Sequence, residues 1–258
     1  MSKDNILALP ANTKIMHDSQ EKWRGETWKE TLDKHNDEIE KLLEKINLFD
    51  IWSDTLQNYE GAKILIPEIF MDGYVSIHFA GYGLYKYANV CLRSQLENTL
   101  RLIYFSSHPV EFDWWRRENE WYRSGLKAKD VWGEGYRYFE ELENIKKFEK
   151  NCEEEKMLFQ KGKRINKIYQ KLSKYVHSGV LSFQTNPNEF SPRYNIEDFK
   201  NWDNRFKEVQ EYINILLILG FLKEFKEMGR ASQEKVKKVG IELSHYKEKL
   251  KEVLDADC

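Results

Sequence analysis

The sequence predicts an all-α fold, and three observations carry that expectation. Glycine and proline number only 13 and 5 in 258 residues, about 7% against an average near 12%, so helix breakers are scarce. Glu, Lys and Leu are abundant, and apolar residues recur at helical spacing over long segments. The expected organisation is a single helical-bundle domain over residues 1–258, with about six to eight helices and a long loop at about 178–195. A chain of this length buries a substantial core.

Along the chain, Asp18 with Glu21 three residues later has the form of a capping box, opening a helix of about 25 to 30 residues. Its apolar face is Trp28, Leu32, Ile39, Leu42, Leu43 and Ile46. A connection from Phe49 to Gly61 leads to a segment whose Gly73, Gly81 and Gly83 are expected to separate an irregular helix from the next. Residues 84–107 lack Gly and Pro and carry apolar side chains around much of the circumference, which predicts a central helix packed on several sides. Pro109 stops it. Residues 111–149 hold two shorter helices separated at Gly125 to Gly135, and 150–177 reads as another long helix. Ser178 to Asn195 carries turn residues, two prolines and no helical period. Asn195 and Asp198 cap a helix over about 196–228, and Ser232 opens a last helix reaching about Leu254. The regions 15–60 and 230–258 are placed at the periphery or between chains.

Several function classes are excluded or disfavoured. The 41 basic and 43 acidic residues leave a net charge of −2, so contact with a polyanion requires a local patch rather than bulk charge. The amino terminus lacks the pattern of a secretory signal. The longest apolar run, Ile215 to Leu222, has 8 residues, far short of the roughly 20 that span a bilayer. A cytoplasmic protein without membrane contact is therefore expected. Three cysteines, Cys91, Cys152 and Cys258, form no C-x-x-C pair, so neither a zinc knuckle nor a disulfide framework is expected. Phosphate-loop, dinucleotide, zinc-protease and nucleophile-elbow motifs are all missing. Neither cofactor nor metal is expected.

Three constellations could carry chemistry. On the central helix Arg93, Glu97, Arg101 and His108 fall within about 80° of one another, flanked by Leu92, Leu96, Leu100 and Ile103. Two guanidiniums beside one carboxylate on an apolar helix suit a phosphate, which Arg holds in a bidentate fork. They equally suit an ion-pair ladder that orients a neighbouring helix. Secondly, Lys156 to Asn188 holds seven basic residues and no acidic one. Within it Ile165, Ile168, Tyr169, Leu172 and Val176 make an apolar face, with Lys171 and Lys174 largely opposite. Ser173 and His177 share a narrow polar line between them. A helix carboxyl end favours the charged form of His177, which suits a proton donor. Thirdly, Phe112 to Phe139 interleaves nine aromatic rings with arginines, but its balanced charge favours packing over base stacking. Glu242-Leu-Ser-His245 has the E-x-x-H spacing of a metal ligand pair, but a di-iron bundle needs a second copy, which is missing.

The pairing of Arg93-Ser-Gln-Leu-Glu97 with Leu172-Ser173-Lys174-Tyr175-Val176-His177-Ser178-Gly179 resembles helical HEPN-like proteins of bacterial phage-defence, abortive-infection and toxin–antitoxin systems, over roughly residues 80–180. The resemblance implies a homodimeric, metal-independent endoribonuclease, a hydrolase in which an Arg-x(4–6)-His motif from each chain contributes to one RNA-cleaving site. Arg101-Leu-Ile-Tyr-Phe-Ser-Ser-His108 fits that spacing, with Leu102 where the family commonly has a polar residue. Lys171 to His177 fits it with Lys in place of Arg. The resemblance thus assigns Arg101, His108 and His177 to catalysis and Arg93, Glu97, Lys171, Ser173 and Lys174 to RNA or nucleotide binding. Alternatives are a non-catalytic module binding a protein partner of the same defence operon, and a nucleotide sensor or nucleotide-acting enzyme.

Overall fold

The computed structural model describes residues 11–117, 142–150, 152–159, 163–176 and 193–255. All regular structure among the described residues is helical, with no strand, in agreement with the composition. The elements are α1 Ala11–Ile46, α2 Leu48–Thr55, α3 Glu60–Gly81, α4 Tyr85–Ser107, α5 Pro109–Arg116 and α6 Glu143–Glu149. After them come α7 Arg164–Val176, α8 Ile196–Gly220, α9 Leu222–Glu227, α10 Arg230–Gly240 and α11 Ser244–Asp255. No helix among the described residues is long and apolar enough to cross a membrane.

The predicted central helix is α4, which packs against α3, α7 and α8. Leu92, Leu96, Leu100 and Ile103 are all buried, and so are Ala88, Gln95, Thr99 and Leu102 on its other faces. It ends at Ser107, and Pro109 takes the first turn of α5, where its missing N–H leaves no orphan. The cap predicted for α8 is also present: the Asn195 side chain accepts from the N–H groups of Glu197 and Asp198. The terminal regions contribute to the same core through Ile39, Leu42 and Ile46 of α1, and through Val236, Ile241, Tyr246, Leu250 and Val253.

Several boundaries depart from expectation, and the helices outnumber the predicted six to eight because long predicted segments are broken. Asp18 does not start α1 but lies inside it, since the helix begins at Ala11 and no break separates Ala11 from Asp18. A kink interrupts α1 at His35 (φ −139°, ψ 25°), whose ring stacks on Phe199 and lies 2.8 Å from the Tyr194 hydroxyl. The connection from Phe49 to Gly61 holds α2, whose Leu48, Phe49 and Trp52 are buried. Gly73 sits buried within α3, so only the turn at Gly81 to Gly83 separates α3 from α4.

The long helix expected over 150–177 is reduced to α7. Upstream, the buried carboxylate of Glu149 accepts from the N–H groups of Leu158 and Phe159, both at 2.7 Å, turning the chain back on itself. The last predicted helix is split in the same way. Glu211 accepts from the N–H groups of Glu242 and Leu243, both at 2.8 Å, between α10 and α11. Glu242 therefore lies outside the helix that holds His245, and the two do not share a helical face. No cluster that could hold a metal ion occurs among the described residues. The expected loop falls mostly outside the described residues, apart from residues 193–195.

Gly83 makes the α3–α4 turn possible. Its φ is +72°, and a Cβ there would stand 2.5 Å from the Arg193 carbonyl oxygen. Urea unfolding of Gly83→Ala is expected to show a loss of about 2 kcal/mol or more, since the left-handed conformation alone costs about 1–2 kcal/mol for a residue with a Cβ. Gly25→Ala in α1, where a Cβ meets nothing within 4 Å, is expected to gain about 0.5–1 kcal/mol. Equal effects at the two positions would refute this account of the turn.

Candidate functional site

One turn of helix separates Arg93 from Glu97 and Glu97 from Arg101, so all three project from the same side of α4, and Arg93 and Glu97 meet α7 at Tyr169. The Arg93 Nη2 donates to Glu97 Oε1 at 2.9 Å and to the Tyr169 hydroxyl at 2.7 Å. The Tyr169 hydroxyl in turn donates to Glu97 Oε1 at 2.8 Å, closing a triangle. The Arg93 guanidinium also lies 5.0 Å from the centre of the Tyr169 ring. Burial, and then the neighbouring Glu97 carboxylate, push the Tyr169 phenol above its ordinary range. It stays protonated and acts as a donor.

Arg101 extends the strip. Its Nη2 is 4.0 Å from Glu97 Oε2, and its Nη1 donates to Asn98 Oδ1 at 2.9 Å. Asn98 Nδ2 donates to Asp72 Oδ2 of α3 at 3.1 Å. Burial pushes the Asp72 carboxyl up to about 6, against the pull of hydrogen bonds from Ser94 and Asn98 and of the Arg101 charge. Burial, reinforced by the Asp72 charge, likewise pushes the Cys91 thiol up to about 11, which removes it as a nucleophile at neutral pH. The side chains of Arg93, Glu97 and Arg101 keep 17%, 14% and 22% exposure, so the strip is partly buried yet reachable from solvent.

The other predicted residues that are described, His108, Lys171, Ser173 and Lys174, make no recorded contact with the side chains of this cluster. His108 follows the last turn of α4, so the helical wheel that aligned it with Arg101 no longer applies. Its ring stacks on Tyr104 at 4.0 Å, and Nδ1 donates to the Tyr104 carbonyl at 2.8 Å. Ser173 donates its hydroxyl to the Tyr169 carbonyl at 2.8 Å. Lys171 and Lys174 are exposed, about 140–160° around α7 from Tyr169, which is the residue that meets Arg93. Tyr175, not Val176, completes the buried face of α7 with Ile165, Ile168 and Leu172.

His177 lies outside the described residues. The direction of α7 is nevertheless fixed by its contacts. Tyr169 meets Arg93 and Glu97, whereas the Tyr175 ring lies 5.2 Å beneath Arg205, which donates to Asn89 near the start of α4. The two helices are antiparallel, so Val176 and Arg101 lie about 20 Å apart along the axis at 1.5 Å per residue. Of the aromatic segment, Phe112 and Trp115 pack on Phe105, and Arg116 and Arg117 both pair with Asp113. The rings from Trp121 to Phe139 lie outside the described residues.

Tyr169, Asn98 and Asp72 belong to the cluster without having been singled out as site residues. Tyr169 looked like one more apolar-face residue. Asp72 carried a faint signal, as one of two carboxylates, with Glu68, in the mostly apolar stretch from Ile64 to Ala80. No family model matches the chain, and no curated protein and no solved structure matches it.

Removing Glu97 leaves two guanidiniums facing each other. Glu97→Ala is expected to cost about 2–3 kcal/mol in urea unfolding, below the 3–5 kcal/mol of a fully buried pair because the strip keeps some solvent. Tyr169→Phe should cost about 1 kcal/mol, and the double variant less than the sum, because one triangle is shared. Additive losses would show that Tyr169 is not coupled to the pair.

Asp72 makes a separate prediction. Its folded pKa of about 6 lies above the ordinary 3.8, so the folded state holds this proton more tightly than the unfolded chain. The associated stability is complete below about pH 4 and is lost as pH rises through about 6. Asp72→Asn is expected to remove that component from the stability profile between pH 4 and 7. A variant profile superimposing on that of the wild type would refute it.

Proposed function

We propose that the chain is a HEPN-like, cytoplasmic helical protein of a phage-defence or toxin–antitoxin system, acting on RNA as a dimer through the Arg93–Glu97–Arg101 strip. The observation that supports this reading is the surplus of donors there. Two guanidiniums share one carboxylate in a setting less than a quarter exposed, and the Arg93 Nε is buried with no acceptor. A phosphate oxygen would satisfy such donors and the excess positive charge, in the bidentate manner arginine favours.

Cleavage on this reading is metal-independent. A histidine takes the proton of the RNA 2′-hydroxyl, the 2′-oxygen attacks the adjacent phosphorus, and the 5′-oxygen leaves with a proton from a second donor. The arginines stabilise the charge that develops on the phosphate. On this reading the site is composite, as the resemblance to HEPN-like proteins implies, and the histidine that meets Arg101 is drawn from the partner chain.

A second reading is favoured by one observation: Arg93, Glu97 and Tyr169 satisfy one another, as structural ion pairs do. The chain is then a non-catalytic module that binds a protein partner. Induced expression separates the two. The ribonuclease reading expects growth arrest and fragmented RNA with the wild type, and activity lower by about 100-fold or more in Arg101→Ala and His177→Ala. Intact RNA throughout, or equal fragmentation in every variant, would overturn it in favour of the binding module.

A further inference from the structure

Helices α9 to α11 carry a feature that the strip does not use. Helices α9, α10 and α11 enclose a half-open groove of about 610 Å³. Its floor is apolar, made by Ile241, Leu250 and Leu254. Its rim carries Lys226 and Lys237 from α9 and α10, with Lys247 and Lys251 one turn apart on α11. Among the described residues Asp255 is the one acidic lining residue, against four lysines, so the rim is positive in a chain whose net charge is −2.

The groove is preformed. Glu211 clamps the α10–α11 turn through the N–H groups of Glu242 and Leu243. Gln233 Nε2 donates to the carbonyls of Lys226 and Met228, at 3.1 Å and 2.9 Å, fixing the α9–α10 corner. Lys247 and Lys251 are both exposed, and Lys237 pairs with the exposed Glu234 at 2.9 Å.

We propose that this groove docks an acidic amphipathic helix of a partner protein, with the apolar seam of that helix on the Ile241–Leu250–Leu254 floor and its carboxylates between the lysines of the rim. The charge pattern selects this occupant. A single-headed amphiphile such as a fatty acid carries one negative charge, whereas the lysines are distributed over both walls and along α11. RNA would match the charge, but the lining offers no aromatic ring or guanidinium on which a base could stack, and the apolar floor has no use for ribose and phosphate. A helix with apolar residues at i, i+3, i+4 and i+7 and acidic flanks matches floor and rim together. The 12 residues of α11 give a contact length of about 18 Å, or about three turns of a docked helix. This inference is independent of the RNA reading of the strip.

The test uses the full chain and a fluorescein-labelled synthetic peptide of about 18 residues, with leucines at helical spacing and glutamates flanking them. Saturable anisotropy is expected. It should weaken about tenfold or more in Lys247→Glu/Lys251→Glu, and again with added salt. A scrambled peptide of the same composition should bind at least about tenfold more weakly, because it has no continuous apolar face. Lys226→Glu/Lys237→Glu on the opposite wall gives the same readout should the first variant fold poorly. Four results would overturn the proposal: no saturation, equal binding of the scrambled peptide, undiminished binding by both variants, or displacement of the peptide by a short single-stranded RNA. A concentration-dependent dimer that excludes the peptide and is lost in the lysine variants would instead assign the groove to a second copy of this chain.

Discussion

A helix buried over most of its circumference must find an internal partner for each buried polar group it carries, and α4 imposes that constraint on the rest of the molecule. Gln95 donates to the Ile69 carbonyl of α3 at 2.9 Å and accepts from Gln210 of α8 at 2.6 Å. Asn98 reaches Asp72 of α3, Asn89 receives Arg205 of α8, and Arg93 with Glu97 engages Tyr169 of α7. Each neighbour of α4 is thereby held by at least one directional contact. A satisfied hydrogen bond adds only about 1 kcal/mol net, but an orphaned one in the interior costs about 1–3 kcal/mol. These contacts therefore discriminate against misregistered packings more than they raise stability. The close-packed apolar groups, with Trp52, Trp202, Phe206 and Phe225 fully buried, supply the driving force that the polar contacts direct.

Much of this architecture is legible in the sequence, because long periodic segments without breakers have few alternatives to the helix. The central helix, the α8 cap at Asn195 and the role of Pro109 all follow from local chemistry. The two missed breaks in long predicted helices share one cause. Where the chain turns at Leu158–Phe159 and again at Glu242–Leu243, the group receiving the free N–H donors is a glutamate 9 and 31 residues earlier in the chain, respectively. Local pattern continues the helix at such points, and only the tertiary fold brings up the carboxylate that ends it. Gly73 misleads in the opposite direction. It resembles a breaker, but it sits where α1 and α4 crowd α3, with Ile46 and Gln95 in the space a side chain would need.

The candidate strip divides along the same line. Spacing of four residues on one helix made Arg93, Glu97 and Arg101 readable as a unit, since that geometry is local. Tyr169 closes the triangle from a helix 72 residues beyond Glu97, and nothing in its own surroundings marks it as more than a core aromatic. His108 shows the converse limit. A helical wheel carries it onto the stripe only if the helix continues, and here it stops one residue short, so the ring folds back onto Tyr104. Asp72 is coupled to Arg101 by the Arg101 charge and through the hydrogen bonds of Asn98, a relay between α3 and α4 that no single-helix pattern can display.

The strip and the lysine-rimmed groove both depend on α8, through consecutive residues. Gln210 reaches inward to Gln95 and so fixes α4, while Glu211 reaches outward to the turn that shapes the groove. From Val209 to Leu219 every residue of α8 is buried, so neither anchor can shift without moving close-packed neighbours. The backbone at both features is in consequence set by the core and not by an occupant. A ligand arriving at either one meets a framework already ordered, and has only the exposed ends of lysine and arginine side chains to immobilise. This distinguishes both features from charge accumulated on a flexible surface, where ordering would consume much of the interaction energy.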